Sequence, residues 1–280
     1  MALFADTHGG HKLGLMPPDV VLYDEDENGA LVPYTPELTA TQKWLWECYE
    51  EDLARLEEIA GGDEIILIHN GDATHGDKYP EQLVTTRKAD QLRIAAGNLK
   101  RAAQVKGVSK MRLLIGTGSH TFGEGSSPLI LSDLLQPTIG DVKCLNHGLF
   151  SVDGVKSDVA HHGPGAGIRQ WTNGNQLRYY VRSLMNDALI DGDKPPDLVV
   201  RAHFHTYCRE TVRMTTKQGV FKTEALILPS YCGMSAYSRQ ATRSASRIGC
   251  GMAVAEIVYG VLVDIYPLVR VVDLRTKEEL

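Results

Sequence analysis

Short apolar runs and longer stretches of helical spacing alternate through the first half of the chain. Ala2-Leu3-Phe4-Ala5 is wholly apolar and stops at Asp6. Ile65 to Ile68 and Met111 to Ile115 are the next short runs, and each reads as a buried strand. Between the first two runs, Thr39-x-x-Gln42 has the form of a capping box. Behind it Leu45, Cys48, Tyr49, Leu53, Leu56 and Ile59 recur at helical spacing until Gly61-Gly62 ends the helix. A second helix is expected from about Glu81 to Gln104, with Leu92, Ala95, Ala96, Leu99, Ala102 and Ala103 facing inward. Strand, helix, strand, helix, strand is the order of an α/β layered domain with parallel pairing.

The second half changes character. Asp141–Asn146, Leu149–Asp153 and Val155–Ala160 are short strands punctuated by Gly148 and Gly154. Asn173-x-x-Gln176 opens a third helix with Leu177, Tyr180, Val181, Leu184, Met185, Ala188 and Leu189 on one stripe. Leu198–Ala202, Tyr207–Thr215, Val220–Leu228 and a long segment from Met252 to Val272 read as mostly antiparallel strands. No repeat and no linker rich in Pro, Gly or Ser divides the chain. One domain over residues 1–280, holding two sheets, fits best. A turn-rich insertion at about 9–38, with Pro17-Pro18 and Asn28-Gly29, is expected to roof the site.

Composition narrows the partners. Lys and Arg number 29 against 35 Asp and Glu, a net charge of −6, which argues against general coating of nucleic acid. Five cysteines with no Cys-x-x-Cys pair argue against a disulfide framework and against a thiolate zinc knot. No apolar run approaches the roughly 18 residues of a membrane helix, and no signal segment opens the chain. The expectation is a cytoplasmic chain with no membrane partner.

The chemistry is positional. Asp6 and His8 follow the first strand, Asp72 the second and Ser119-His120 the third. His161-His162 follow Val155–Ala160, and His203 and His205 follow Leu198–Ala202. Carboxyl ends of strands in α/β sheets converge on one crevice, so these side chains can meet despite large sequence gaps. Imidazole and carboxylate without thiolate suit Mn, Fe or Zn. A carboxylate can bridge two cations, which makes Asp72 the natural shared ligand. Each motif alone is a weak signal; the ordered set, each member after a strand, is hard to obtain by chance.

Asp6-Thr7-His8-Gly9, Asn70-Gly71-Asp72, Gly118-Ser119-His120, His161-His162-Gly163 and Ala202-His203-Phe204-His205 together resemble the signature of the calcineurin-like metallophosphoesterases. The resemblance spans residues 6 to 205 and is nearest to a subgroup found in bacteriophage genomes. It implies a four-layer αββα sandwich of two mixed sheets flanked by helices, carrying two divalent metal ions, Mn ahead of Fe or Zn. It also implies a ligand set: Asp6, His8, Asp72 and His205 for one metal, with Asp72, His161 and His203 for the other. His161 is preferred to His162 because it lies nearer the strand end. His120 is implied as a proton donor or charge stabiliser beside the metals. One departure stands out: Ser119 occupies the position where the family has a metal-binding Asn. Thr117, Glu124 or a water is then left to supply the missing oxygen, and the second metal is expected to be the looser one.

The implied activity is hydrolysis of phosphodiesters or phosphomonoesters by a hydroxide bridging two cations. Arg239, Arg243 and Arg247, four residues apart, are candidates for holding substrate phosphate, either as a cationic helix stripe or as clamps from a loop. They keep open a nuclease acting on DNA or RNA ends, which the net charge disfavours. A non-catalytic metal-bound interaction module is the third reading, and Ser119 is its only support. His11, His69, His75 and His147 are read as structural or rim residues. Trp44 and Trp46 are read as packing anchors, and Trp171 as the one tryptophan able to stack on a base.

Overall fold

Alternation along the first strand, β1 (Ala2–Phe4), sets the layering: Ala2 and Phe4 face a core shared with helices, while Leu3 faces a second core between two sheets. The computed structural model describes residues 1–123, 125–167, 169–235, 247–276 and 278. After β1 the chain forms β2 (Leu22–Glu25), β3 (Leu31–Tyr34), α1 (Ala40–Ala60), β4 (Ile65–Asn70), α2 (Lys88–Ala103) and β5 (Val108–Leu114). It continues through α3 (Ser126–Ile139), β6 (Val142–Leu145), β7 (His147–Val152), β8 (Val155–Ala160), α4 (Asn175–Ile190) and β9 (Leu198–Arg201). The last elements are β10 (Cys208–Thr216), β11 (Gly219–Ile227), β12 (Arg247–Val258) and β13 (Val261–Asp273).

The first sheet has the order β13-β12-β1-β4-β5-β6, with β1, β4, β5 and β6 parallel and β12 and β13 antiparallel. The second runs β10-β11-β9-β8-β7, with β8, β9 and β11 parallel between two antiparallel edges. Both are mixed. Parallel steps need crossovers, and helices supply most of them: α1, α2 and α3 for the first sheet and α4 between β8 and β9, while β9 reaches β11 by way of β10. Leu45, Tyr49 and Leu53 of α1, Leu99 of α2 and Leu131 of α3 bury against the outer face of the first sheet. Leu177, Val181 and Met185 of α4 cover the second. Between the sheets lie Leu3, Ile68, Val159, Val200, Leu226 and Ala253. The result is the α/β sandwich of helices, sheet, sheet and helix that the sequence pattern and the resemblance imply.

Several element boundaries differ from the sequence reading. The capping box at Thr39 and Gln42 is formed, and Gly61 caps α1 in the left-handed region. Helix α2 begins at Lys88 rather than near Glu81, because the backbone before it pairs elsewhere: Lys12 donates to the Gln82 carbonyl and Val84 to that of Gly10. Helix α4 starts behind a left-handed Gly174 with no side-chain cap, so no capping box forms at Asn173. Met252 to Val272 is two strands of one hairpin, turned at Tyr259-Gly260. Val142–Leu145 joins the first sheet, parallel to β5, and β9, within the segments read as mostly antiparallel, is parallel to both β8 and β11. Trp44 and Trp46 pack against the helix-side core, whereas Trp171 is 83% exposed.

The insertion does not stand apart. Residues 9–11 and 14–16 are buried, and Met16 and Leu22 form a small core with Ile94 of α2. Among the described residues no helix is long and apolar enough to cross a membrane.

Candidate metal centre

The loops that leave β1, β4, β5, β8 and β9 carry the chemistry, the first three from one sheet and the last two from the other. Asp6, His8, Asp72 and His161 are buried, with His203 and His205 half-buried beside them. Backbone bonds stitch the loops together: Asp6 N–H donates to the Gly71 carbonyl and His8 N–H to that of Asp72, both at 3.0 Å. His203 N–H reaches Asp6 Oδ2 at 3.2 Å. Five of the six candidate ligands hold positive φ: Asp6 at 54°, His8 at 44°, Asp72 at 55°, His203 at 77° and His205 at 52°. A left-handed conformation costs a non-glycine residue about 1–2 kcal/mol, and such strain gathers where side chains are aimed for function.

The aimed atoms converge. His8 Nε2, His205 Nε2 and Asp6 Oδ1 lie 3.3 to 3.7 Å from one another. His161 Nε2 is 3.1 Å from Asp72 Oδ2 and 4.0 Å from Asp6 Oδ1, which links this trio to a second group. That group is His161, His162 and His203, whose ligand atoms fall within 4.8 Å of one another, as do those of Asp6, Asp72 and His161. His161 is oriented by its Nδ1, which donates to the Asn70 carbonyl at 2.6 Å and leaves Nε2 for the cluster. His162 is more exposed than its neighbour.

Two glycines make the convergence possible. Gly71 has φ +90°, and a Cβ there would lie 2.2 Å from His161 Nδ1. A Cβ on Gly116 would lie 2.0 Å from Asp72 Oδ1. Any side chain at either position would push a candidate ligand out of line.

The electrostatics suit a cation. Asp6 Oδ1 is buried and accepts no hydrogen bond, a costly state for a carboxylate oxygen unless positive charge offsets it. Hard carboxylate oxygens and imidazole nitrogens are the donors divalent ions take, so the residues present fit such ions. Burial opposes charge on both carboxyls, yet the imidazoles prevail: Asp6 sits well below the usual carboxylate range through His161 and His205, and Asp72 is lowered through His161. Burial pushes His8 down to about 3 and His203 downward, keeping both neutral and able to donate a lone pair.

His161 goes the other way. Burial lowers it, but Asp72 and Asp6 outweigh burial and lift it to about 9. In the cation-free protein its imidazolium contributes stability fully below the unfolded value of about 6.5, and the contribution is lost as pH rises through about 9. A cation that takes His161 as a ligand must displace that one proton. Affinity for Mn²⁺ at such a site is therefore expected to rise about tenfold per pH unit and to level off above about pH 9. Titrations across that range check this; an affinity indifferent to pH would mean that no proton leaves His161.

His120 stands at the edge of the cluster, its ring 4.7 Å from that of His8. Its Nδ1 is hydrogen-bonded to the His75 carbonyl, so Nδ1 carries the proton and Nε2 is the exchangeable nitrogen. His75 itself, read from sequence as structural or rim, also meets His8 Nδ1 through its own Nδ1 at 3.1 Å. This contact holds the His8 ring with Nε2 toward Asp6. Its ring packs at 4.3 Å on that of His11, which lies beside the Cys232 thiol. His69 supports Thr7 through a 3.1 Å bond, and His147 pairs with Asp158 on β8. Nothing in the spacing of the motifs distinguishes His75 from an ordinary turn histidine; its place one turn after Gly-Asp is the only signal.

Of the arginine candidates, Arg239 and Arg243 lie outside the described residues, as does Glu124. Arg247 is exposed and opens β12, two residues before Gly249, whose N–H donates to the His205 carbonyl. It is on a strand and not on a helix stripe.

Such a centre, at the carboxyl ends of two facing sheets, belongs to proteins that can hold divalent ions between imidazoles and carboxylates. No protein-family model matches the chain, and no curated protein matches it. Among solved structures, that of a novel archaeal phosphodiesterase is similar over 97% of this chain and 98% of its own, with a TM-score of 0.39 and 9% sequence identity.

Proposed function

We propose that the protein is a calcineurin-like metallophosphoesterase of the bacteriophage-type subgroup, hydrolysing phosphodiesters or phosphomonoesters at a two-metal centre with Mn ahead of Fe or Zn. The observation that carries the reading is the convergence of buried Asp and His atoms, within 4.8 Å of one another, from strand ends of both sheets. Asp6, His8, Asp72 and His205 would hold one cation, and Asp72, His161 and His203 the other. Divalent ions held there supply Lewis acidity, which acidifies water and offsets phosphoryl charge.

The chain's own residues do the rest. Asp6 and Asp72 bring two negative charges into a buried site, and bound cations would offset those charges so that an anionic ester is not repelled. His75 fixes His120 through its carbonyl and leaves Nε2 free; with the ring as an imidazolium, Nε2 would give its proton to the departing ester oxygen and the ring would return to the neutral form protonated at Nδ1. His120 is half-buried, open enough to meet a substrate yet held by the loop that follows β5. The domain works as one unit over 1–280, with the insertion at about 9–38 bounding the crevice. Arg239, Arg243 and Arg247 would hold substrate phosphate; of the three, Arg247 is exposed and stands two residues before Gly249, which bonds the His205 carbonyl.

The test is a screen of the purified chain against nitrophenyl phosphate, bis(nitrophenyl) phosphate and single-stranded oligonucleotides. Hydrolysis of at least one class with Mn²⁺, lost on chelation and regained on metal return, is the expected result. A metal-loaded protein inert to every ester would make it a binding module instead.

A further inference from the structure

Position 119 leaves the second cation one oxygen short, and the structure offers a hydroxyl two residues away. Beyond β5 the chain passes so close to Asp72 at Gly116 that Thr117 is pinned to it: Thr117 N–H donates to Asp72 Oδ1 at 2.6 Å. The Thr117 hydroxyl then lies 3.0 Å from Asp72 Oδ2, 3.2 Å from His203 Nδ1, and 3.5 Å from both His161 Nε2 and His162 Nε2. One hydroxyl has a single proton and two lone pairs, so it cannot satisfy four such neighbours as hydrogen-bond partners. Its proton has one anionic acceptor, Asp72. Its lone pairs are left facing the space that the imidazoles also face. Donation to a carboxylate enriches the oxygen and makes it a better donor than a free hydroxyl. Ser119, by contrast, sits in the short turn Gly118–His120, where its carbonyl lies over Gly76, and its hydroxyl takes no part in this set.

We infer that Thr117 Oγ1, and not Ser119, is the neutral oxygen donor of the second cation, completing a set with Asp72, His161 and His203. This rests on the two-metal reading above and adds a ligand to it. A hydroxyl binds a divalent ion more weakly than the carboxamide oxygen it replaces, so the second cation is the more weakly held.

The experiment is a calorimetric Mn²⁺ titration of the full chain as wild type, Thr117→Val, Thr117→Ser and Ser119→Ala, with electron paramagnetic resonance to detect a coupled ion pair. Wild type is expected to bind two equivalents, the second more weakly. Thr117→Val keeps the shape and removes the oxygen. It should retain the first equivalent, lose about 10- to 100-fold in affinity for the second, and lose the coupled signal. Thr117→Ser and Ser119→Ala should stay close to wild type. Retention of the first equivalent shows that the valine variant is folded. An unaltered second equivalent in Thr117→Val, or its loss in Ser119→Ala, overturns the assignment while leaving the two-metal reading intact. A wild type that binds fewer than two ions overturns both.

Discussion

Asp72→Asn is expected to lower phosphoester turnover by about 10³-fold or more, equivalent to about 4 kcal/mol of lost transition-state stabilisation, and to release bound cation. The substitution is informative because it keeps the backbone and the side-chain shape while altering the contacts of Oδ2 with Thr117 and His161. Asn tolerates the positive φ of 55° at this position, so the turn after Gly71 has no new strain to relieve. The carboxamide oxygen can still accept from the Thr117 N–H. What disappears is one buried negative charge and one of the two oxygens that could face a cation. His161, held at about 9 chiefly by Asp72 after burial is overcome, should then titrate lower. Metal content, turnover and the His161 titration read by NMR would all move together. A variant that turns over at the wild-type rate with full metal content would remove Asp72 from the centre.

His120→Ala is expected to cost about 10²- to 10⁴-fold in kcat while leaving metal content unchanged. Its ring contacts His8 at its edge, and its fixed bond is to the His75 backbone carbonyl, which the chain itself also holds in place. A proton donor matters most when the departing oxygen is basic. The loss should be greater for an alkyl ester than for a nitrophenyl ester. Loss of metal from the variant would show that His120 is a ligand, and equal losses for both esters would assign it a purely electrostatic role.

Features set by near neighbours in the chain are legible in the sequence, and features set by remote ones are not. The capping box at Thr39 and the apolar stripe behind it are local signals, and α1 forms where they stand. The strand-end placement of Asp6, His8, Asp72, His120, His161, His203 and His205 is also local: each follows a short apolar run, and the topology gathers those runs' ends. Ser126–Ile139 lies in no element read from the sequence, because α3 carries apolar residues on both faces. Leu131 and Leu135 are buried, Leu129, Ile130 and Leu134 are exposed, and Pro137 interrupts the pattern. The start of α2 falls later than its helical spacing suggests because residues 82–84 spend their hydrogen bonds on a segment some seventy residues earlier.

The site's supporting residues are harder to see for the same reason. Thr117 stands in the sequence only as one of three possible oxygen sources, and the distances that set it and His75 apart are defined by the folded chain. Gly71 and Gly116 matter for what a Cβ would strike, His161 and Asp72, and both partners are remote or indirect in sequence. The positive φ values at five candidate ligands are only weakly foreshadowed by residue type, since aspartate and histidine enter the left-handed region more often than other side chains do. They are the folded chain's own mark on residues that the motif order also singles out.

The most direct measurement is elemental analysis of the purified protein after Mn²⁺ loading and desalting, repeated after chelation. One firmly retained Mn²⁺ per chain, a second that is retained only when free metal is supplied, and none after chelator is the expected result. A protein that takes up no divalent ion while its fold is intact would contradict it, because Asp6, Asp72 and the four flanking histidines would then form a buried polar cluster with no ion at its centre.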